Sequence, residues 1–536
     1  MIGQDLGFVK RRRGITTAIA VGLSVMIVMV GSPAQAASYV PVSGAGSTWS
    51  QVALDQWRRN VVQYGIKVNY AGTGSSDGRN QFRNGTVDFA VSEIPFGLKD
   101  GGVVDSPPSR GYAYMPIVAG GTSFMYNLVI GGKRVTNLRL SGASLAGIFT
   151  GNIKNWNDPK IAADNPSLAL PARKIVPVVR SDGSGTTAQF STWLSAQYPS
   201  LWNAYCVKAG RNSPCGVTSN YPVVPGGGFT AQSGSLGVSG YVSQAANDGT
   251  ITYVEYAYAL NTGFPVAKVL NKAGYYTEPT ASAVAVGLLG ATVNNDSKSP
   301  AYLTQQLGGV YNNSDRRTYP LSSYSYMVVP TRQEFGFSSD KGYTLGAFAY
   351  YFLCQGQQQA DVLGYSALPI NLVKAGLEQV KKIPGVDVKS VDIAKCNNPT
   401  FSSSGANLLA KTAPYPPACD KLGAAQCTTG TGGQRNTSTA ATKSDSSSST
   451  SGTGATSTAT TTGTVNTTGT TGTVGGGGGG GGGVGASRAT ALTIPPSSGW
   501  GVQQTSVVFA VILLFGLVIA PPLTARFLRR RGGVPS

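Results

Sequence analysis

Short apolar segments alternate with amphipathic segments in the first half of the chain. Residues 66–70, 87–91 and 175–179 have the length and apolar content of buried strands. In two other segments the apolar residues recur every three or four positions, which predicts two amphipathic helices. Their apolar faces consist of Trp49, Ala53, Trp57 and Val61 in the first, and of Phe190, Trp193, Leu194 and Tyr198 in the second. Strands and helices that alternate in this way predict an α/β fold.

Three turns rich in glycine and hydroxyl residues open predicted helices, at residues 44–48, 72–76 and 180–187. Glycine lets the backbone approach a ligand closely, and the first N–H groups of a helix have no partner within it and carry the positive end of its dipole. In the third turn Arg180 adds a guanidinium group. One such turn is equally consistent with an ordinary helix start capped by serine. Three of them favour helix N-termini that converge on one anion.

The chain of 536 residues is basic, with 42 Lys and Arg, 23 Asp and Glu, and a formal charge of +19. Some of the basic residues lie beside apolar segments at the two ends, where they indicate membrane orientation. They are Lys10, Arg11, Arg12, Arg13, Arg526, Arg529, Arg530 and Arg531. The remaining charge forms neither a basic stripe nor a known nucleic-acid-binding motif, so nucleic acid is not expected as a partner.

Histidine is absent from the sequence. This absence excludes Ser-His-Asp and Cys-His catalysis and removes the commonest zinc ligand. No two cysteines have the C-x-x-C spacing of a metal site or a redox motif. The sequence therefore predicts neither an enzyme nor a bound metal or cofactor.

Six cysteines are present, an even number that predicts disulfides in an exported protein. Proximity in sequence favours the pairs Cys206–Cys215, Cys354–Cys396 and Cys419–Cys427. This pattern is one of fifteen possible connectivities, and the sequence alone does not choose between them.

Both ends of the chain carry membrane-targeting signals. Residues 1–36 combine a basic start, an apolar stretch and an Ala-Gln-Ala sequence before Ala37, the pattern of a cleaved signal peptide. Residues 506–525 are long and apolar enough to form one transmembrane helix. The basic tail at 526–536 predicts a cytoplasmic C-terminus and an extracytoplasmic folded part at the cell membrane. Residues 428–498 are mostly Thr, Ser and Gly and predict a disordered linker.

Six motifs follow one another along the chain. They are 44–48 (GAGST), 69–76 (NYAGTGSS), 87–89 (VDF), 151–156 (GNIKNW), 180–187 (RSDGSGTT) and 253–259 (YVEYAYA). In this order they resemble the substrate-binding protein of the bacterial high-affinity phosphate ABC importer. The resemblance covers residues 40–384.

The resemblance implies a type II periplasmic-binding-protein fold, a clam-shell of two α/β lobes with mixed sheets. Lobe one would contain residues 40–116 and 327–384, and lobe two residues 117–326, within a binding domain at 37–393. Residues 394–427 lie beyond the family core and are expected to form a cysteine-containing extension. The family implies a monomeric receptor that binds inorganic phosphate and delivers it to an ABC permease in the membrane.

The resemblance also implies the binding residues. Phosphate contacts fall on Thr48, the Trp49 N–H, Ser75, Glu93, Arg180, Ser184, the Gly185 N–H and Thr186. Asp182 stands where the family has a carboxylate that pairs with the arginine and holds its guanidinium in place, although an ordinary turn aspartate is the alternative. Neutral donors around one paired arginine suit a desolvated anion, because each of its oxygens needs hydrogen bonds.

Glu93 departs from the family, which normally has aspartate there. A carboxylate at this position accepts the proton that phosphate carries near neutral pH and rejects sulfate, which has none. The extra methylene either shifts the pocket to fit phosphate or changes the ligand. A binding protein or sensor for another tetrahedral oxyanion is therefore the alternative function. Asp77, where the family usually has glycine, either points to solvent or weakens anion binding.

Overall fold

The computed structural model of the protein describes residues 39–100, 103–299, 301–391, 393–396, 398–400 and 406–443. The predicted signal peptide at 1–36, the predicted transmembrane helix at 506–525 and the basic tail at 526–536 lie outside these ranges, as does the predicted linker beyond 443. Within the described ranges, no helix combines the length and the apolar content that crossing a bilayer requires.

The described residues form strands and helices that alternate along much of the chain, as the α/β prediction requires. The strands are β1 (Val42–Gly46), β2 (Val68–Ala71), β3 (Phe89–Ser92), β4 (Lys99–Asp100), β5 (Val103–Val104), β6 (Tyr112–Asn127), β7 (Val129–Ile130), β8 (Lys133–Arg134), β9 (Arg139–Leu140), β10 (Val176–Arg180), β11 (Thr230–Gln232), β12 (Thr250–Glu255), β13 (Lys268–Leu270), β14 (Tyr276–Thr277), β15 (Thr292–Val293), β16 (Gln305–Gln306) and β17 (Ser322–Pro330). The helices are α1 (Gln51–Val61), α2 (Ser75–Arg83), α3 (Gly142–Phe149), α4 (Pro159–Asp164), α5 (Gly185–Gln197), α6 (Pro199–Lys208), α7 (Gly234–Val242), α8 (Tyr256–Thr262), α9 (Ala281–Leu288), α10 (Gly308–Tyr311), α11 (Ser339–Leu353), α12 (Ile370–Val380) and α13 (Leu408–Lys411). Short 3-10 helices cover Val62–Tyr64, Gln355–Gln359, Ile393–Cys396, Ala418–Asp420 and Gly432–Gln434.

Eight strands form one mixed sheet in the order β11-β10-β12-β6-β17-β3-β1-β2. The long strand β6 changes partner within its length, because residues 112–121 pair with β17 and residues 122–127 pair with β12. Strands β1, β2 and β3 run parallel to one another, and so do β10, β11 and β12. The sheet therefore has two parallel halves that two long antiparallel strands join.

Each half of the sheet belongs to a lobe with its own apolar core. Lobe one denotes β1–β3 with α1, α2, α11 and α12, and its core includes the stacked rings of Trp57 and Phe352, 5.3 Å apart. Lobe two denotes β10–β12 with α3–α8, and its core includes Phe149, Phe190 and Tyr253. The ring of Phe190, in α5, lies 5.0 Å from Tyr253 and 5.1 Å from Phe149. The two predicted helix faces are thus the core faces of α1 and α5.

The register of the two long strands shifts near Pro116. Ser325 lies opposite Val118 and Tyr326 lies opposite Pro116, so Ile117 is skipped. Proline has no N–H to give to a sheet, and a bulge redirects the side chains beside it. At this point the Ser325 hydroxyl of β17 donates a hydrogen bond to Glu93, which follows β3 of lobe one.

The chain after lobe one forms an extension that ends on lobe two. The disulfides pair as predicted, as Cys206–Cys215, Cys354–Cys396 and Cys419–Cys427. Residues 428–443 continue along lobe two, so the start of the linker predicted at 428 needs correction. Thr431 is fully buried there and its hydroxyl donates to the carbonyl oxygens of Thr136 and Val266, while it accepts from the Val266 N–H. Hydrogen bonds of this kind order a segment whose composition lacks apolar side chains.

The docking of residues 428–443 gives a first prediction. Thr431→Val keeps the side-chain volume but removes these hydrogen bonds and leaves buried backbone groups unpaired. We expect the free energy of unfolding to fall by about 2–3 kcal/mol, measured by urea denaturation of the full-length protein. Thr429→Val, at an exposed position of the same segment, should change it by less than about 0.5 kcal/mol. Equal effects of the two substitutions would contradict the observed docking.

Candidate oxyanion-binding site

Loops from both lobes meet between the lobes, where the carboxyl ends of the two sets of parallel strands face each other. On lobe one, Ser47 follows β1, Ser75 begins α2 and Glu93 follows β3. On lobe two, Arg180 ends β10 and Ser235 lies in the first turn of α7. All five side chains are at most 2% exposed. The carboxyl ends of parallel strands and the N-termini of the helices after them are where α/β folds place ligands.

Arg180 is the one charged donor of this group, and Asp182 holds it. The Arg180 Nε lies 2.7 Å from Asp182 Oδ1, and Nη2 donates to Asp182 Oδ2. The N–H of Gly234 donates to the same carboxylate at 2.9 Å. Burial acts to raise the pKa of Asp182, but the bonds and charge of Arg180 outweigh it and lower the pKa. The second amino group, Nη1, faces the Ser235 hydroxyl at 3.3 Å and the Thr186 hydroxyl at 3.5 Å.

The N-terminus of α5 brings lobe two against lobe one. The Ser184 hydroxyl caps this helix by accepting from the Thr187 N–H at 3.1 Å. The Gly185 N–H donates across the lobes to Ser75 Oγ at 3.1 Å. A Cβ at position 185 would lie 1.8 Å from Glu93 Oε2, so the close approach requires glycine here.

Glu93 is the acceptor of the site. Its Oε1 accepts from Ser47 Oγ at 2.6 Å and from the Ser325 hydroxyl, and its Oε2 accepts from Ser75 Oγ at 2.8 Å. Burial raises the pKa of the Glu93 carboxyl, although the three hydroxyls and the charge of Arg180 act in the opposite direction. The site thus combines a buried carboxyl group with a set of hydrogen-bond donors.

Thr48 and Trp49 complete the lobe-one side. The Thr48 hydroxyl lies 2.8 Å from Ser235 Oγ and accepts from the Ser235 N–H at 3.2 Å. The Trp49 N–H donates to Ser47 Oγ at 2.9 Å, so it reaches Glu93 through that hydroxyl. The Trp49 ring packs against Tyr365, with 5.8 Å between centroids. The ring therefore belongs to the core while the backbone faces the site.

The structure gathers the predicted residues into two neighbouring hydrogen-bonded groups, one around Arg180 and one around Glu93, which the N-terminus of α5 links. The predicted residues are Thr48, Trp49, Ser75, Glu93, Arg180, Asp182, Ser184, Gly185 and Thr186. The sequence analysis missed Ser47, Ser235 and Ser325. Ser235 belongs to a fourth turn of the same type, 232–235 after β11, and that pattern was visible in the sequence. Ser325 lies within a buried strand, where no local pattern marks it.

Two further features concern charge. Asp77 is exposed on α2 and accepts from Gln81 Nε2 of the same helix, so it points to solvent. No group of three His, Cys, Asp or Glu residues among the described residues is arranged to hold a metal ion.

Comparison with known proteins identifies the family. The sequence model of the PBP superfamily domain matches residues 31–355. The phosphate-binding protein PstS of Xylella fastidiosa (strain Temecula1) is 33% identical over 338 residues, which cover 62% of this chain and 83% of the relative. The phosphate-binding protein PstS of Methanocaldococcus jannaschii is 30% identical over 362 residues, which cover 65% and 87%.

Among solved structures, the high-affinity periplasmic phosphate-binding protein PfluDING with bound phosphate aligns at 20% identity and a TM-score of 0.47. The alignment covers 63% of this chain and 92% of that one. This likeness is too weak to support an assignment, which rests on the family model and the sequence relatives. By these, the chain belongs to the PBP superfamily and, within it, to the PstS family of phosphate-binding proteins.

Proposed function

We propose that this protein binds inorganic phosphate between its two lobes, outside the cell membrane, and delivers it to an ABC permease. The observation that carries the proposal is that buried donors of the two lobes meet in two cross-lobe contacts, Thr48 with Ser235 beside Arg180 and the Gly185 N–H with Ser75 beside Glu93. The relatives in Xylella fastidiosa and Methanocaldococcus jannaschii are named phosphate-binding proteins, which supports the same ligand.

The donor set suits a phosphate oxyanion. Three hydroxyls, of Thr48, Ser75 and Thr186, join the Gly185 N–H and the free edge of Arg180 Nη1. Every oxygen of a buried anion has to be satisfied by hydrogen bonds, and these donors come from separate loops at fixed positions. Since Asp182 neutralises the arginine, the affinity comes from directed hydrogen bonds more than from net charge.

Glu93 supplies the selectivity in this proposal. The Ser75 hydroxyl and the Gly185 N–H form one bridge between the lobes, and Glu93 Oε2 lies beside both. An anion that enters this bridge takes both donors and leaves Oε2 to accept a proton from the anion. Phosphate carries such a proton near neutral pH, whereas sulfate presents lone pairs to the carboxylate. The longer side chain of Glu93 thus serves the role of the family aspartate.

The proposed receptor is a monomer, has no enzymatic activity and is attached to the membrane. Residues 1–36 direct export, and residues 506–525 form a transmembrane helix followed by a cytoplasmic tail at 526–536. The described chain reaches 443 along lobe two, so the linker from there to 498 starts at that lobe.

Titration calorimetry of the full-length protein tests the proposal. We expect phosphate to bind at one site per chain, and phosphate heats that equal those of buffer would contradict binding. Competition with arsenate and sulfate tests the alternative ligand class. If sulfate bound more tightly than phosphate, the protein would be a receptor for another tetrahedral oxyanion.

Removing the charged donor gives a second prediction. Arg180→Ala loses the guanidinium and leaves the Asp182 carboxylate facing the anion, so phosphate affinity should fall by at least about a hundredfold. Arg58→Ala, which removes an arginine that is paired within α1, should leave affinity unchanged. Circular dichroism checks that both variants are folded. A folded Arg180→Ala variant that keeps its affinity would refute the assigned site.

Removing the acceptor charge gives a third prediction. Glu93→Gln keeps the shape of the side chain but offers an amide in place of the carboxylate, so sulfate is no longer repelled. The ratio of phosphate to sulfate affinity should fall by about a hundredfold or more, measured by calorimetry with each anion. Glu378→Gln, at an exposed ion pair of α12, is the matched control. If the ratio of phosphate to sulfate affinity were unchanged in Glu93→Gln, Glu93 would not be the residue that recognises the proton of phosphate.

The pKa of Glu93 gives a fourth prediction, for the protein without phosphate. Because its folded pKa is raised, the Glu93 carboxyl stabilises the fold fully at pH values below its unfolded pKa of about 4.3. This stabilisation is lost as pH rises through the folded pKa. Glu93→Gln has no titrating carboxyl at this position. Its free energy of unfolding, relative to that of the wild type, should therefore increase as pH rises from about 4 to about 8. Urea denaturation at several pH values measures this difference. A difference that stays constant with pH would contradict the raised pKa.

A further inference from the structure

A carboxylate on the β4–β5 hairpin is bound by lobe two. Asp105, which follows this hairpin, pairs with Arg79 and Arg83 of α2, so the hairpin belongs to lobe one. Asp100 ends the short strand β4, at a distance in sequence from every predicted binding residue. Its hydrogen-bond partners among the described residues all follow α6 of lobe two. They are Arg211, Thr218, Ser219 and Asn220.

The contact is dense for a single carboxylate. Asp100 Oδ1 accepts from Thr218 Oγ1 at 2.5 Å and from Arg211 Nη1 at 3.3 Å. Asp100 Oδ2 accepts from the Ser219 N–H and the Ser219 hydroxyl, both at 2.8 Å, and from Asn220 Nδ2 at 3.3 Å. Burial acts to raise the pKa of Asp100, but these hydrogen bonds together with Arg211 lower it. The carboxylate is therefore ionised at neutral pH.

The loop that receives Asp100 is fixed to lobe two. The Cys206–Cys215 disulfide closes the segment that carries Arg211. The Thr218 N–H donates to Ser191 Oγ of α5 at 2.9 Å. Because this loop is held independently of lobe one, it presents its donors to Asp100 in a set geometry.

Ser219 connects this contact to the binding site. Its carbonyl oxygen accepts from the N–H of Ser184 at 2.8 Å, and Ser184 caps the helix whose first N–H, that of Gly185, donates to Ser75. Its hydroxyl also accepts from Ser76 Oγ of lobe one at 3.0 Å, next to the binding residue Ser75. Asp100 therefore holds Ser219, which is hydrogen-bonded to Ser184 on lobe two and to Ser76 on lobe one.

The contact also borders the opening between the lobes. A groove of about 670 Å³ lies there, lined by Ser76, Arg79, Arg83, Asp100, Arg211 and Ser219, among others. The Ser76 N–H donates to the Gly183 carbonyl oxygen at 3.0 Å across the same boundary. Movement of the lobes apart at this opening has to break the bonds of Asp100.

We propose that Asp100 is a positioning residue of the phosphate site, which keeps the lobes closed over the bound anion and holds Ser184 through Ser219. The inference rests on the proposed phosphate binding and adds to it how release is controlled. The side-chain partners of Asp100 do not include any of the proposed phosphate-binding residues. Since its partners lie on the other lobe, the contact forms only when the lobes are together, so it slows release more than it speeds capture.

The rate constants of phosphate binding and release test this role. In Asp100→Ala, stopped-flow fluorescence with a competing phosphate sensor should show release faster by about tenfold or more, because bonds to a charged group are lost. The association rate constant should change by less than about threefold. Asp100→Asn keeps part of the bonding and should lie between. Combining Asp100→Ala with Thr218→Val should add less than the sum of the two single effects.

Asp77→Ala is the matched control, because this exposed acid of lobe one is bonded within its own helix. It should release phosphate at the wild-type rate, and circular dichroism checks that all variants are folded. Wild-type release from a folded Asp100→Ala protein would overturn the inference and leave phosphate binding standing. Failure of the wild type itself to bind phosphate would overturn both.

Discussion

The burial of Arg180 is the constraint on which the rest of the binding site depends. A guanidinium that is 2% exposed is costly unless it is paired and hydrogen-bonded. Asp182 meets this requirement along one edge of the guanidinium, and the Gly234 N–H holds Asp182 in turn. The other amino group is left to face hydroxyls from two loops. A buried charge has thereby become a directed donor, and the glycine-rich turns are needed to bring the backbone near it.

The two long antiparallel strands β6 and β17 connect this site to both lobes. Strand β6 serves lobe one in its first part and lobe two in its second, and β17 runs beside it. A Cβ on Gly120 would lie 2.7 Å from the Trp49 ring, so this crossing point is closely packed. At the register shift in β17, the Ser325 hydroxyl donates a hydrogen bond to Glu93. The proposed acceptor, Glu93, is therefore bonded to one of the strands that join the lobes.

Parts of the fold and site that depend on local sequence could be predicted, and parts that depend on distant contacts could not. The turn at 180–187 predicted the end of a strand, a close approach of the backbone to a ligand and the start of a helix. The structure places the end of β10 and the start of α5 there. Ser325 and Glu93 are separated by 232 positions, so no spacing rule relates them. Asp100 lies in a two-residue strand, and its partners on lobe two are more than 100 positions away, so the sequence did not predict this contact. Residues 428–443 were predicted to be disordered from their Thr, Ser and Gly composition. Composition does not reveal the hydrogen bonds that this segment makes to residues distant in sequence.

The central claim is that a buried carboxylate and a paired arginine enclose a partly protonated anion between the lobes. A crystal structure of the phosphate complex at neutral pH tests it most directly. The account predicts phosphate oxygens within hydrogen-bond distance of Arg180 Nη1, Ser75 Oγ and the Gly185 N–H, with one further oxygen against the Glu93 carboxylate. Phosphate bound elsewhere, or bound here without contact to Glu93, would contradict the account.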